Sequence, residues 1–204
     1  GPTGSGKSTT LYAFLRVLNT KETRIKARLN LDGRGHTDIS TGVPFLDHML
    51  TLMAAHGFMD IDITARGDIE VDYHHTVEDL GLVLGEALDR ALGDRKGIRR
   101  FGHAVTPMDD ALAAVTIDLS RRPYLVCHLP EGLEPAGQFA PHLVREFCRA
   151  LAMRGGLNLH INVSYGEDPH HIIEAVFKSM GRAMAQAVGV DGRVKGVRST
   201  KGTI

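Results

Sequence analysis

Apolar residues along this chain switch between two periods, and the switches mark out its elements. Over residues 24–32 (RIKARLNLD) apolar and polar positions alternate, which predicts a strand with one buried face, closed by a Gly33-Arg34-Gly35 turn. Phe45, Leu46, Met49, Leu50, Leu52 and Met53 then recur at helical spacing. Residues 45–56 therefore read as a helix, with Pro44 at its start and Gly57 just past its end. Alternation returns over 59–65 as a strand. Residues 76–92 read as a helix, with Thr76 as its N-cap and Gly93 as its stop. Residues 101–128 read as a meander of strands, broken at Pro107-Met108-Asp109-Asp110 and at Arg122-Pro123. A helix over 141–153, a strand over 157–164 and a helix over 171–188 follow. The glycine-rich tail, 189–204, has no period of its own.

The second half of this pattern repeats the first. A shift of 98 positions places His48 on Glu146, Gly57 on Gly155 and DIDI (60–63) on NLHI (158–161). A shift of 96 places His74-His75-x-x-Glu78 on His170-His171-x-x-Glu174. Two long copies are too few for a solenoid, which buries its core by stacking three or more short units. The pattern predicts an α+β fold. In it a helix–strand–helix unit with flanking β-strands is duplicated, and two sheet/helix halves pack about a pseudo-twofold.

Composition narrows the function classes. The chain has 204 residues, 43% hydrophobic and 24% charged, as expected of an ordinary globular chain. Its 24 Lys+Arg balance 24 Asp+Glu, so no positive excess is available to neutralise nucleic-acid phosphates or an anionic membrane. No apolar run approaches the ~20 residues of a membrane span. Two cysteines, Cys127 and Cys148, give no disulfide framework and fit a reducing compartment. The count that redirects attention is 11 His.

Four of these histidines form the repeated HHxxE. Neighbouring helical residues point about 100° apart, so the two rings of a pair suit different metal ions, and the Glu lies on the face of one of them. Two copies supply His74, His75, Glu78, His170, His171 and Glu174, and His48 and Glu146 add one ligand each. Mixed imidazole–carboxylate donors with high coordination favour manganese or iron over structural zinc. His36, His103, His128, His142 and His160 read as loop, surface or strand-packing residues, and His56 as a partner of helix-terminal carbonyls.

Residues 1–8, GPTGSGKS, satisfy the phosphate-loop pattern, with Lys7 for outer phosphates and Ser8 for magnesium. The stretch GPTGSGKSTTLYAFLRVLNT resembles the Walker A segment of secretion and type IV pilus assembly ATPases. A working loop follows a buried strand, and none is readable ahead of this one. Residues 1–20 are therefore expected to be a foreign or vestigial leader.

From residue 21 onward the motifs LNLDGRGHTDISTGVPFLDHML, DYHHTVEDLG, GIRRFGHAVTPMDDAL, DLSRRPYL, EDPHHIIEAVFK and STKG resemble the imidazoleglycerol-phosphate dehydratase family. The resemblance implies a cytoplasmic hydro-lyase of histidine biosynthesis. Such an enzyme dehydrates D-erythro-imidazole-glycerol phosphate to imidazole-acetol phosphate, with two manganese ions per site stabilising an imidazolate. It implies assembly into a large homo-oligomer, a 24-mer, with sites between subunits. By the same resemblance Glu22 transfers a proton and contacts substrate, and His75 and His171 take part in catalysis. His48 contacts substrate as well as metal, and Arg100, Arg122, Ser199 and Lys201 hold the phosphate. The halves fall at 21–95 and 96–190, with a substrate-binding tail over 191–204. Two departures stand out. Many members carry His where this chain has Glu146, and the usual first strand is replaced by the leader, to be absent or rebuilt from 11–19. Competing expectations are a phosphate-loop ATPase fragment and a non-catalytic metal-binding assembly protein. The latter would not need Arg100, Arg122 or Lys201.

Overall fold

The alternation over 24–30 forms a strand whose Ile25, Ala27 and Leu29 are buried while Arg24, Lys26 and Arg28 face outward. The computed structural model describes residues 14–19 and 23–200. In chain order the elements are β1 (Phe14–Asn19), β2 (Arg24–Asn30), β3 (Thr37–Ser40), α1 (Pro44–Gly57), β4 (Asp60–Arg66) and α2 (His74–Leu92). Then come β5 (Phe101–Met108), β6 (Ala111–Asp118), β7 (Tyr124–His128), α3 (Pro141–Gly155), β8 (Asn158–Tyr165) and α4 (Pro169–Val188). The strands make two four-stranded sheets, ordered β1-β2-β4-β3 and β5-β6-β8-β7. In each sheet the first three strands are antiparallel and the last runs parallel to its neighbour. Identical order and sense in both sheets are what the sequence repeat predicts.

Several local expectations are corrected. Strand β3 carries no clear alternation and was not expected, because its parallel pairing with β4 supplies the order that a short polar segment lacks. The 101–128 region is not a simple meander, since β7 pairs in parallel with β8 and not with β6. Pro107 continues β5 opposite Leu112 and does not break it. It is tolerated because β5 is an edge strand. Only Asp109, at φ +44°, and Asp110 make the turn. Helix α2 begins at His74 after Tyr73, so Thr76 is not its cap, and its buried hydroxyl has no partner. Gly57 ends α1, and Phe58 takes the left-handed conformation that the sequence suggested for the glycine. Strand β1 pairs antiparallel with β2, so the 14–19 stretch does edge the first sheet.

The helices pair across the halves: α1 packs on α4, and α2 on α3. Equivalent glycines permit both approaches. A Cβ on Gly85 would lie 2.8 Å from Leu151 O and Gly155 N, and one on Gly181 would lie 2.3 Å from Met53 O and 3.1 Å from Gly57 N. Phe147 and Phe177, with ring centroids 5.8 Å apart, help to close the core between the helices. Among the described residues no helix is long and apolar enough to cross a membrane.

Candidate metal centre

Crossed helix pairing decides which ligands meet. Because α1 lies against α4, His48 from one half reaches His170 and Glu174 from the other, and their ligand atoms lie within 4.8 Å of one another. Glu174 Oε2 is 3.1 Å from His170 Nε2 and 3.6 Å from His48 Nε2. Lys178 takes the other oxygen, Oε1, at 2.6 Å. Burial of Glu174 opposes its ionisation, but the Lys178 ammonium and the His170 hydrogen bond outweigh that and hold its carboxyl below the usual range. Phe45 meets the His170 ring edge-on at 5.2 Å and fixes its plane.

Helices α2 and α3 bring together the equivalent residues with a different outcome. His74 Nε2 stands 3.9 Å from Glu78 Oε2. Arg149 pairs with Glu146 and reaches Glu78 Oε1 at 3.3 Å, so one guanidinium spans both carboxylates. His142, read from sequence as a bystander, stacks on His74 with centroids 6.4 Å apart. The two rings share the lining of a cavity of about 310 Å³.

The paired histidines diverge as helical geometry requires. Rings of His74 and His75 stand at 81°, and those of His170 and His171 at 78°. His75 Nδ1 lies 2.9 Å from Asp68 Oδ2, and His171 Nδ1 2.5 Å from Asp110 Oδ1. No motif points to Asp68, whereas Asp109 and Asp110 read from sequence as turn carboxylates, one of which could orient a ligand. His56 is pushed down by burial and by the nearby Lys178 and Arg182 charges, the reverse of what a helix-end carbonyl contact would do.

Beside the His48–His170–Glu174 group opens a cavity of about 670 Å³, walled by Phe45, Phe139 and the 135–138 segment. Tyr73, at the start of α2, donates to Gln138 Oε1 at 2.8 Å, and both residues line this cavity and its smaller neighbour. Pattern reasoning missed Tyr73 and Gln138, which are 65 residues apart.

The cationic candidates gather elsewhere. Arg100 is buried and grips Asp118 through Nε (2.6 Å) and Nη2 (3.0 Å), while its Nη1 donates to Arg198 O at 2.6 Å. Arg122 Nη2 lies 3.8 Å from the same Asp118, with its side chain 69% exposed. Ser199 donates its N–H to Val197 O at 2.8 Å. Arg100, Arg122 and the tail residue Arg198 thus meet around Asp118, and of the two candidate arginines Arg122 is the one whose side chain is exposed. Glu22, Lys201, Lys7 and Ser8 lie outside the described residues.

A duplicated α+β scaffold that brings imidazoles and carboxylates together beside an open cavity defines a candidate metalloenzyme. The profile described as imidazoleglycerol-phosphate dehydratase matches residues 41–184. An imidazoleglycerol-phosphate dehydratase of Clostridium botulinum is 55% identical over 185 residues, covering 91% of this chain and 94% of the relative. One from Geobacter metallireducens is also 55% identical, with 91% and 95% covered. Among solved structures, the Staphylococcus aureus imidazoleglycerol-phosphate dehydratase superposes with a TM-score of 0.79 at 36% identity, covering 88% of this chain and 99% of that one. The Pyrococcus furiosus structure gives 0.80 at 39%, covering 93% and 100%. The chain belongs to the imidazoleglycerol-phosphate dehydratase family.

Proposed function

We propose that this chain dehydrates D-erythro-imidazole-glycerol phosphate to imidazole-acetol phosphate in cytoplasmic histidine biosynthesis. The observation that carries the reading is the convergence of His48, His170 and Glu174 beside the large cavity, in a chain of this family. The donor set fits manganese, because two imidazoles stand with a buried carboxylate kept ionised by Lys178. His48, His170 and Glu174 would hold one ion, and His74, Glu78 and Glu146 a second. His75 and His171 fall outside the grouped ligand atoms of their own chain, and would complete centres on neighbouring copies in a 24-mer.

Manganese held there supplies positive charge against the imidazole ring as a carbon-bound proton leaves. The side chains do the rest. Phe45 and Phe139 give the ring an apolar wall and exclude water. Arg100, Arg122, Ser199 and Lys201 hold the phosphate, with Arg122 as the exposed donor. Glu22 takes the proton from carbon. The neighbouring C–O bond then breaks, the hydroxyl leaves as water after protonation, and the enol collapses to the ketone. Residues 1–20 are a leader that contributes no group to this chemistry, although 14–19 edge the first sheet as β1. Residues 21–204 form the catalytic unit.

Chelated protein should be inactive towards this substrate and recover on adding manganese. Fully manganese-loaded protein without turnover would overturn the reading.

A further inference from the structure

His171 sits one residue after His170, yet a different element holds its ring. Asp110, at the β5–β6 turn, divides its carboxylate between two tasks. Its Oδ2 accepts the backbone N–H groups of Glu167 (2.6 Å) and Asp168 (3.0 Å), and its Oδ1 meets His171 Nδ1 at 2.5 Å. Asp168 in turn caps α4 by accepting His170 N at 2.7 Å. One side chain therefore ties the sheet edge to the loop that launches α4 and to a ring in the first turn of that helix. Asp109 Oδ2 approaches the other nitrogen, Nε2, at a long 3.5 Å.

The orientation of Asp110 leaves little choice. Two converging N–H donors can be met only by an acceptor, so Oδ2 is pinned and Oδ1 is carried to His171. The backbone N–H bonds are the main reason that the Asp110 carboxyl lies far below the usual range, and an ionised carboxylate only accepts. His171 Nδ1 must then carry the proton, which leaves the Nε2 lone pair as the ligating atom. His75 stands in the same relation to Asp68, at 2.9 Å. Asp68 lies on the β4–α2 connection and not on a sheet turn, so the two halves reached one arrangement through different residues.

We infer that Asp110 is a positioning residue that fixes His171 in the Nδ1–H tautomer and presents Nε2 to a metal ion. The role of the ion rests on the function proposed above; the tautomer does not. Asn at position 110 has one accepting oxygen in place of two. The pinned N–H groups retain that oxygen, so the amide NH2 turns to His171 Nδ1 and forces the proton onto Nε2, where it blocks ligation. Asp110→Asn should therefore weaken manganese binding about 10–100-fold, the usual cost of losing a partner behind a ligand.

Two readouts test this. Long-range proton–nitrogen NMR of the metal-free protein at about pH 8.5, above the ordinary His range, reports each ring's tautomer, with His171 assigned by its absence in His171→Asn. Free manganese, followed by electron paramagnetic resonance during titration, reports affinity. The expected result is Nδ1–H at His171 in wild type, Nε2–H in Asp110→Asn, and the stated loss of affinity. An Nε2–H ring in wild type overturns the inference even if the variant fails to fold, as does unchanged manganese affinity in a folded Asp110→Asn. A wild-type protein that binds no manganese sinks the metal reading instead, and leaves the tautomer result to stand or fall separately.

Discussion

The α1–α4 and α2–α3 helix pairs are copies of one unit, yet they treat their carboxylates in opposite ways. In the first pair Glu174 is 8% exposed, and Lys178 occupies the oxygen turned away from His48 and His170. In the second, Glu78 is 36% exposed and shares Arg149 with Glu146. Duplication copied the scaffold down to the glycine contacts at Gly85 and Gly181. The charged neighbours were not copied: the position equivalent to Lys178 is Leu82, and the cation that reaches Glu78 is Arg149 from α3, already paired with Glu146. Repeated backbone thus places ligands, and single side chains decide how ready each group is for a cation.

That comparison can be broken most sharply by charge removal. Glu174→Ala strands the Lys178 ammonium in a largely buried setting and should cost about 3 kcal/mol of unfolding free energy. Glu78→Ala, at an exposed pair, should cost about 0–1 kcal/mol. Equal losses in urea denaturation would mean that the two groups are not electrostatically distinct. Next in size is Gly181→Ala, whose Cβ meets the Met53 carbonyl at 2.3 Å and should lose about 1–3 kcal/mol of stability. Gly85→Ala, with its 2.8 Å contacts, should lose less, and the reverse ranking in thermal melts would contradict the geometry.

The smallest effect concerns acid. Asp60 accepts N–H groups from Arg34 (2.8 Å), His36 (3.1 Å) and Asn30 (3.1 Å). Burial opposes its ionisation, but these donors prevail and lower its pKa. A lowered folded value contributes stability above the unfolded carboxyl range, near 4, which is lost as pH falls through the folded value. The position equivalent to Asp60 in the second half is Asn158, which cannot titrate. Asp60→Asn should flatten the loss of stability below about pH 4, and an unchanged acid slope would show that Asp60 does not contribute to it.

Much of this was legible in the sequence where period and side-chain chemistry agree. The strand at Arg24–Asn30 and the helices carrying HHxxE have amphipathic patterns that tertiary packing reinforces. Strand β3 was not legible, since its order comes from a parallel neighbour, and the place of β7 depends on β8, which lies 30 residues further on. The ligand types of the candidate centre could be read from HHxxE and its repeat. What could not be read was which of them meet, because that follows from α1 crossing to α4. The carboxylates behind His75 and His171 come from 7 and 61 residues away, with no shared motif. Arg149 was invisible for another reason: a helical Arg near Glu normally signifies only a solvated pair.

The central claim is that the two helix pairs form two unequal manganese sites. Titrating metal-free protein with manganese, in wild type and in Arg149→Leu, tests it most directly. The account predicts two affinity classes, the tighter lost in Glu174→Gln and the weaker in Glu78→Gln. It also predicts that Arg149→Leu tightens only the weaker class, by up to about fivefold, since an exposed pair is worth about 0.2–1 kcal/mol. A single class that both Gln variants weaken equally, untouched by Arg149→Leu, would contradict it.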